Sequence, residues 1–349
     1  MTRRSWALFA AMCGIWGVPY LLIRVAVRDF APGTLVFART AIGGLVLLPF
    51  AFANGGFGDV LRRWRWLVAF TVIEIGIPWL MISDAERVLS SSLTGLLVAA
   101  VPLVGVVVAR LAGVDERGGG WLRYLGLLLG LAGVAVLLGL DVGQVHVGAL
   151  IEMGLVAIGY ASAPVIMARR LADLPSIPVI AASLLLSAVG YLPYAILNWP
   201  DSISAKVAWS VAGLGIICTA LAFVVFFALI AAIGPARSTV ITYVNPAVAV
   251  LLGVLLLDED LTLGIAIGFP LILVGSVLAT RRVIGAPETA GCEAGPEAVL
   301  AETVAPSQST RTSPRGVSNV AATTPVSPSY DESHSTSTPS NGWRADVPR

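Results

Sequence analysis

The chain has 349 residues, of which 57% are hydrophobic and 12% charged, with a mean hydropathy of +0.87. That is more apolar surface than a soluble core of this size requires, so the composition excludes an ordinary water-soluble protein and points to one embedded in the lipid bilayer. The formal net charge of +1 says nothing about partners, and no nucleic acid is expected among them.

Ten apolar segments follow one another at 6–27, 34–53, 66–83, 91–111, 121–140, 148–167, 179–197, 207–233, 238–257 and 263–280. They are nearly free of charge and long enough to cross a hydrocarbon core of roughly 30 Å. The first continues through Trp16 and Tyr20 with no small-residue cleavage site after it, which reads as an uncleaved helix. Loops are short, leaving no room for an inserted soluble domain. From about Gly285 the composition turns to Pro, Ser, Thr, Ala and Glu, the signature of a disordered tail over 285–349.

Two stretches carry the same design. Residues 238–259 and 92–116 each start with hydroxyl residues, carry a mid-segment proline (Pro246, Pro102), and close on an acid (Glu259, Glu116). Each leads into a glycine-rich apolar segment, with Gly126 and Gly133 matching Gly268 and Gly275. Earlier, Pro19 and Arg24 stand 145 residues before Pro164 and Arg169. A period of that size means two copies of one domain, 1–140 and 148–282. Five helices per copy is an odd number, so the second copy enters the membrane upside down, the arrangement of many secondary transporters. The expected fold is therefore an all-α integral membrane protein of ten transmembrane helices, built as two inverted five-helix repeats.

Orientation follows from the basic residues. Arg3, Arg4, Arg62, Arg63, Arg65, Arg110, Arg117, Arg123, Arg169, Arg170, Arg237, Arg281 and Arg282 fall on one side, against Arg24, Arg28, Arg87 and Lys206 on the other. Thirteen against four places both termini in the cytoplasm of a plasma (inner) membrane protein.

Trp16 and Gly17 in the first helix, Arg39 in the second, and the mid-helix proline with a terminal glutamate in helices four and nine, in two five-helix copies, resemble the EamA type of the drug/metabolite transporter superfamily. The resemblance covers residues 1 to about 282. It implies a ten-helix bundle around a central cavity and transport of small polar metabolites, often outward. The chain departs from a symmetric site around Thr219, because helices seven to nine hold no ionisable residue mirroring Arg39 or Glu74.

Ionisable residues inside spans are costly and mark functional sites or fixed pairs. Glu74 lies roughly 13 Å deep in the third helix and Arg39 about 9 Å deep from the opposite face, at 1.5 Å per residue. They line the expected substrate site, or else form a permanent ion pair, and Glu74 is the candidate for proton exchange. Trp16 and Tyr20 share a face of the first helix, and Trp79, Tyr160 and Tyr243 can add to the same wall. Asn245 precedes Pro246, whose missing N–H frees a carbonyl for a ligand. The matched GxxxG pairs Gly126/Gly130 and Gly264/Gly268 read as scaffold, and Glu116 and Glu259 as loop or interface contacts.

Several chemistries are excluded. Lys206 is the sole lysine and no Walker A loop surrounds it, so ATP is not the direct energy source. His146 and His334 are the only histidines, which removes histidine-based hydrolases and HExxH proteases. Cys13, Cys218 and Cys292 lack metal or redox spacing. No cofactor or metal is expected, and the chain is not expected to be an enzyme.

The expected activity is secondary transport of a small metabolite or drug across the plasma membrane by alternating access, with export favoured over import only by the resemblance. The alternatives are an ungated facilitator or channel, a lipid carrier and, least favoured, a membrane-embedded enzyme. The orientation is tested by reporter fusion: a reporter active only outside the membrane should stay silent when fused after Arg282, and activity there would contradict the ten-span arrangement.

Overall fold

The computed structural model describes residues 2–280, apart from 112, 114–119, 142–145, 235–237 and 239. The segment expected to be a disordered tail lies outside the described residues, as do Glu116, Cys292 and His334. Among the described residues every regular element is a helix. In order they are α1 (Arg3–Ala26), α2 (Pro32–Asn54), α3 (Trp64–Ala85), α4 (Ser91–Leu111) and α5 (Gly120–Asp141). Then come α6 (Val147–Leu171), α7 (Ser176–Leu197), α8 (Ala205–Ile233), α9 (Ile241–Leu257) and α10 (Leu263–Thr280). A short helix, Phe57–Arg62, leads into α3 behind Gly55 and Gly56, whose φ values of 70° and 75° suit glycine. Among the described residues nine helices are long and apolar enough to cross a membrane, and the apolar α9 is shorter at 17 residues.

Helix is the form that lets each span satisfy its backbone without water. The ends are tied by side chains. Ser90 accepts from the Leu93 N–H to start α4, Ser204 does the same for Val207 at α8, and Pro32 opens α2 where no N–H is needed.

The repeat is legible in detail. Residues Leu48-Pro49-Phe50-Ala51 of α2 and Leu192-Pro193-Tyr194-Ala195 of α7 stand 144 apart, as do Asn54 and Asn198. More telling, α3 and α8 each contain a π-helical turn, Thr71–Gly76 and Ile216–Leu221, 145 residues apart at both ends. A π turn inserts one extra residue, re-aims the side chains around it and is frequent at functional sites. Matched positions place Glu74 opposite Thr219 and Arg39 opposite Ser183.

The two copies share one core: Ile23, Leu96 and Leu137 from the first are packed in the same buried cluster as Val156, Leu214 and Ile272 from the second. The tightest seam joins α5 to α10. A Cβ built on Gly133 would stand 2.8 Å from the Gly268 carbonyl oxygen, one on Gly268 would stand 2.8 Å from the Gly133 carbonyl oxygen, and one on Gly275 would stand 2.7 Å from that of Gly126. Gly126 and Gly268, from the pairs expected as scaffold, together with the matched Gly133 and Gly275 thus let two backbones touch. Gly133→Val should cost about 1–3 kcal/mol or more through overpacking against backbone that cannot yield. The check is the melting temperature of the detergent-solubilised protein, and an unchanged value would contradict the seam.

Candidate functional site

Arg39 is buried in α2, 8% exposed. Its Nε–H donates to Thr219 Oγ1 at 3.0 Å, and its guanidinium lies 3.7 Å over the Trp79 ring. The Thr219 hydroxyl in turn donates to the Leu214 carbonyl at 2.8 Å, five residues back, at the entry to the α8 π turn. That commits its proton to the turn and turns a lone pair towards Arg39. Close approach of α2 and α8 makes the contact possible: a Cβ on Gly215 would lie 2.6 Å from Ile42, and one on Gly43 would lie 3.1 Å from Thr219 Cβ. The terminal guanidinium nitrogens make no hydrogen bond to the described residues.

Glu74 sits on the matching π turn of α3. Its Oε2 is sealed from solvent without a partner, and so is the Thr71 hydroxyl of the same turn. The turn is held by α7, where the Tyr191 hydroxyl donates to the Gly76 carbonyl at 3.1 Å, and by α6, where Gly159 has no room for a side chain against the Ile73 carbonyl at 2.6 Å. Ser183 and Ser187 of α7, at the positions matching Arg39 and Gly43, also carry buried hydroxyls without partners. No Arg39–Glu74 ion pair forms among the described residues, whereas the pairs at Arg62, Arg63 and Arg87 are exposed ones. The permanent-pair reading of these two residues therefore has no contact to rest on.

Tyr160 lies against Trp79 and within electrostatic reach of Glu74, Tyr20 and Arg39, so it joins the two π-turn sites. Tyr20 also senses Glu86 and Arg39, and its ring borders Gly95 of α4. Five of the sequence candidates, Tyr20, Arg39, Glu74, Trp79 and Tyr160, thus belong to one cluster. Trp16 packs instead on Phe226 of α8, with ring centroids 4.8 Å apart. Asn245 keeps a buried Oδ1 without a partner, and its backbone carbonyl abuts Gly17 of α1. Tyr243 is separate: its hydroxyl bonds Thr280 Oγ1 at 2.7 Å, at the arginine-rich end of the bundle.

Sequence reasoning missed Glu86. It stands just beyond α3, where Asp84, Glu86 and Arg87 read as an ordinary polar loop, yet it is fully buried and neither carboxylate oxygen has a partner. Arg24, at the end of α1, donates from Nη1 to the Glu86 backbone carbonyl. Burial holds the Glu86 carboxyl well above the usual range, with Glu259 raising it further and Arg24 and Arg39 opposing. The signal in the sequence was Arg24 itself, a cation at a span end that needed an acceptor.

Matched latches close the two ends. Asp29, after α1, accepts from the Ser204 N–H at 3.0 Å and its hydroxyl at 2.8 Å, at the start of α8. Asp173, 144 residues on and after α6, takes both arms of Arg63 before α3 at 2.5 and 2.6 Å. Each crosses from one copy to the other, at opposite ends, and each partner lowers the acid's pKa. At the Asp29 end, Glu259 also caps α4, with Oε1 accepting from the Ser91 N–H at 2.8 Å and Oε2 from the Ser92 N–H at 2.9 Å.

The EamA-like transporter family matches residues 4–139 and 149–281. The chain belongs to the EamA-like transporter family. Similar proteins include the inner membrane transporter YedA of Escherichia coli K12, 29% identical over 80% of this chain and 94% of that protein. The transporter YvbV of Bacillus subtilis is 25% identical over 80% of this chain and 92% of that protein. A transporter of Archaeoglobus fulgidus is 21% identical over 80% and 99%. A crystal structure of a protein covers 80% of this chain and 97% of its own with a TM-score of 0.58 at 24% identity, which shows the fold. This EamA-like chain is therefore an all-helical membrane transporter, and its buried ionisable groups are to be read in that light.

Glu86 makes a pH prediction. Below the ordinary carboxylate value of 4.5 it is protonated whether folded or unfolded. Above it the folded protein retains a proton that the unfolded chain releases, so stability falls as pH rises towards the raised folded value. Glu86→Gln should flatten that fall in a melting-temperature series from about pH 5 to 8; parallel curves for the two proteins would contradict the assignment.

Proposed function

We propose that this transporter carries a small polar metabolite or drug outward across the plasma membrane as a secondary, proton-coupled exporter, its two halves inverted and rocking about the π-turn sites. The observation that carries the reading is the pair of matched π-turn junctions, one holding Arg39 and the other Glu74, each ionisable and neither ion-paired to the other. In a structural pair the two charges would satisfy each other, since an unmatched buried charge is expensive.

Arg39 supplies the substrate contact. Thr219 and Trp79 hold its Nε edge and one face, and the terminal nitrogens are left to bind a carboxylate, phosphate or carbonyl group. Trp79, Tyr160 and Tyr20 form the aromatic wall, while Trp16 and Asn245 border the α1–α9 seam beside it. Glu74 takes and gives the proton, because no nucleotide site supplies energy and its sealed oxygen has no fixed partner. The Asp29–Ser204 and Asp173–Arg63 latches are the two gates, and opening either end breaks one while sparing the other. Both are exposed and individually weak, as reversible gates must be. The inner membrane setting stated for YedA and the inward termini expected from the basic residues fit this orientation.

Glu74→Gln should insert normally and retain downhill exchange while losing accumulation driven by a proton gradient. The assay is metabolite export from cells and reconstituted vesicles with and without the gradient. Normal gradient-driven transport by well-expressed Glu74→Gln would remove Glu74 from the coupling.

A further inference from the structure

Glu86 is fully buried just beyond α3, at the end of the bundle where Asp29 latches onto α8, and the proposed transport cycle gives it no task. Neither oxygen of its carboxyl has a partner among the described residues. The groups within its electrostatic reach are Arg24 and Tyr20 from α1, Glu259 from the turn after α9 and Arg39 from α2. On its own segment Asp84 and Arg87 pair with each other at 3.2 Å, and Glu152 of α6 lies against Asp84.

Two neighbouring acids here have unlike surroundings. Glu259 accepts four hydrogen bonds, from the N–H and the hydroxyl of both Ser91 and Ser92, at 2.5 to 2.9 Å. So many donors on two oxygens leave it acceptor-only, the carboxylate form. Glu86 has no donor, and a buried, unpaired carboxylate beside a second one is expensive, so Glu86 keeps its proton. Such a contrast assigns two acids different roles. A cation is close by but is not on the carboxyl: Arg24 sets Nη1 on the main-chain carbonyl of Glu86. Arg24 also lines a cavity of about 270 Å³ with Val27, Arg28 and Arg87, of which the last two are exposed. It therefore connects the buried acid to the exterior.

We propose that Glu86 is a second proton-binding site, which holds the Asp29 end closed while protonated and, once that end opens, gives its proton to water and takes Arg24 as its partner. The inference rests on the alternating-access reading above. The step balances: one O–H bond breaks, water takes the proton, and the carboxylate gains Arg24 N–H donors; closing reverses each change. Between the ordinary carboxylate value of 4.5 and the raised value of the closed form, only the closed form keeps the proton. Rising pH therefore favours opening, by up to about tenfold per pH unit for one proton.

The test is a spin-label distance measurement on the full chain in nanodiscs. Cys13, Cys218 and Cys292 are replaced, and nitroxides are placed on Val88→Cys and Ser202→Cys, exposed positions of the two copies at this end. Two distances should appear, the longer gaining on the shorter by up to about tenfold per pH unit within about pH 5 to 8. Glu86→Gln, uncharged throughout, should hold the shorter distance at every pH, and Glu74→Gln should keep the pH response. Arg24→Gln removes the partner of the carboxylate and should move the response to higher pH, which tests the pair even if Glu86→Gln does not fold. Two distances in a ratio that ignores pH, an unchanged response in Glu86→Gln or Arg24→Gln, or its loss in Glu74→Gln would each overturn the proposal and leave alternating access standing. A single distance in every variant would remove the transport reading along with it.

Discussion

Holding a guanidinium inside a membrane protein is the constraint on which the rest of the structure turns. On insertion scales an arginine at the centre of a span costs roughly 2.5–3.5 kcal/mol. A desolvated cation–π contact returns about 2 kcal/mol, and a hydrogen bond to a charged donor about 1.5–3. The Trp79 ring and the Thr219 hydroxyl are therefore enough to hold Arg39 without a carboxylate. Each needs its own support: the hydroxyl is aimed by a π turn, and the turn reaches α2 only because Gly43 and Gly215 bring the helices together. With the cation so held, Arg39 does not need Glu74 as its counter-ion.

Duplication has kept the scaffold symmetric and made the chemistry asymmetric. Both copies preserve the Leu-Pro-aromatic-Ala run, the π turn, the glycine seam and an acid that latches across to the other copy. At the matched positions the residues differ: Arg39 bonds Thr219 in one junction, and the repeat offsets place Ser183 and Glu74 at the equivalent positions of the other. In the proposed mechanism a symmetric frame supplies two conformations of equal standing, and the unlike side chains would divide the work between a group that binds and a group that carries a proton. The latches have the same logic, since they repeat in position while differing in partner.

Much of the fold was legible in the sequence because lipid imposes a simple rule: long apolar runs, polar interruptions and arginines on one side. The matched glycines of α5 and α10 were readable for the same reason, since close backbone contact needs a missing side chain. Arg39 and Glu74 stood out as ionisable groups inside spans. Their separation was not legible, because depth along a helix fixes height but not the direction of a side chain, and two π turns rotate the faces that a regular 3.6-residue period would assign. Thr219 looked like a gap in the symmetry, and the structure makes it the acceptor for Arg39. Tyr243 shared an aromatic character with the site residues but not their height. Glu86 escaped because a charged residue in a short loop looks solvated until neighbouring helices are seen to cover it.

The most direct test of this account asks whether Ser183, at the position the repeat matches to Arg39, can be reached from both sides of the membrane. With Cys13, Cys218 and Cys292 replaced, a single cysteine at Ser183 would be challenged with a membrane-impermeant thiol reagent from each face of sealed vesicles. The account predicts labelling from either face, with an imposed proton gradient increasing one at the expense of the other. Labelling from neither face, or from one face regardless of the gradient, would contradict an alternating site and reduce the buried groups to scaffold.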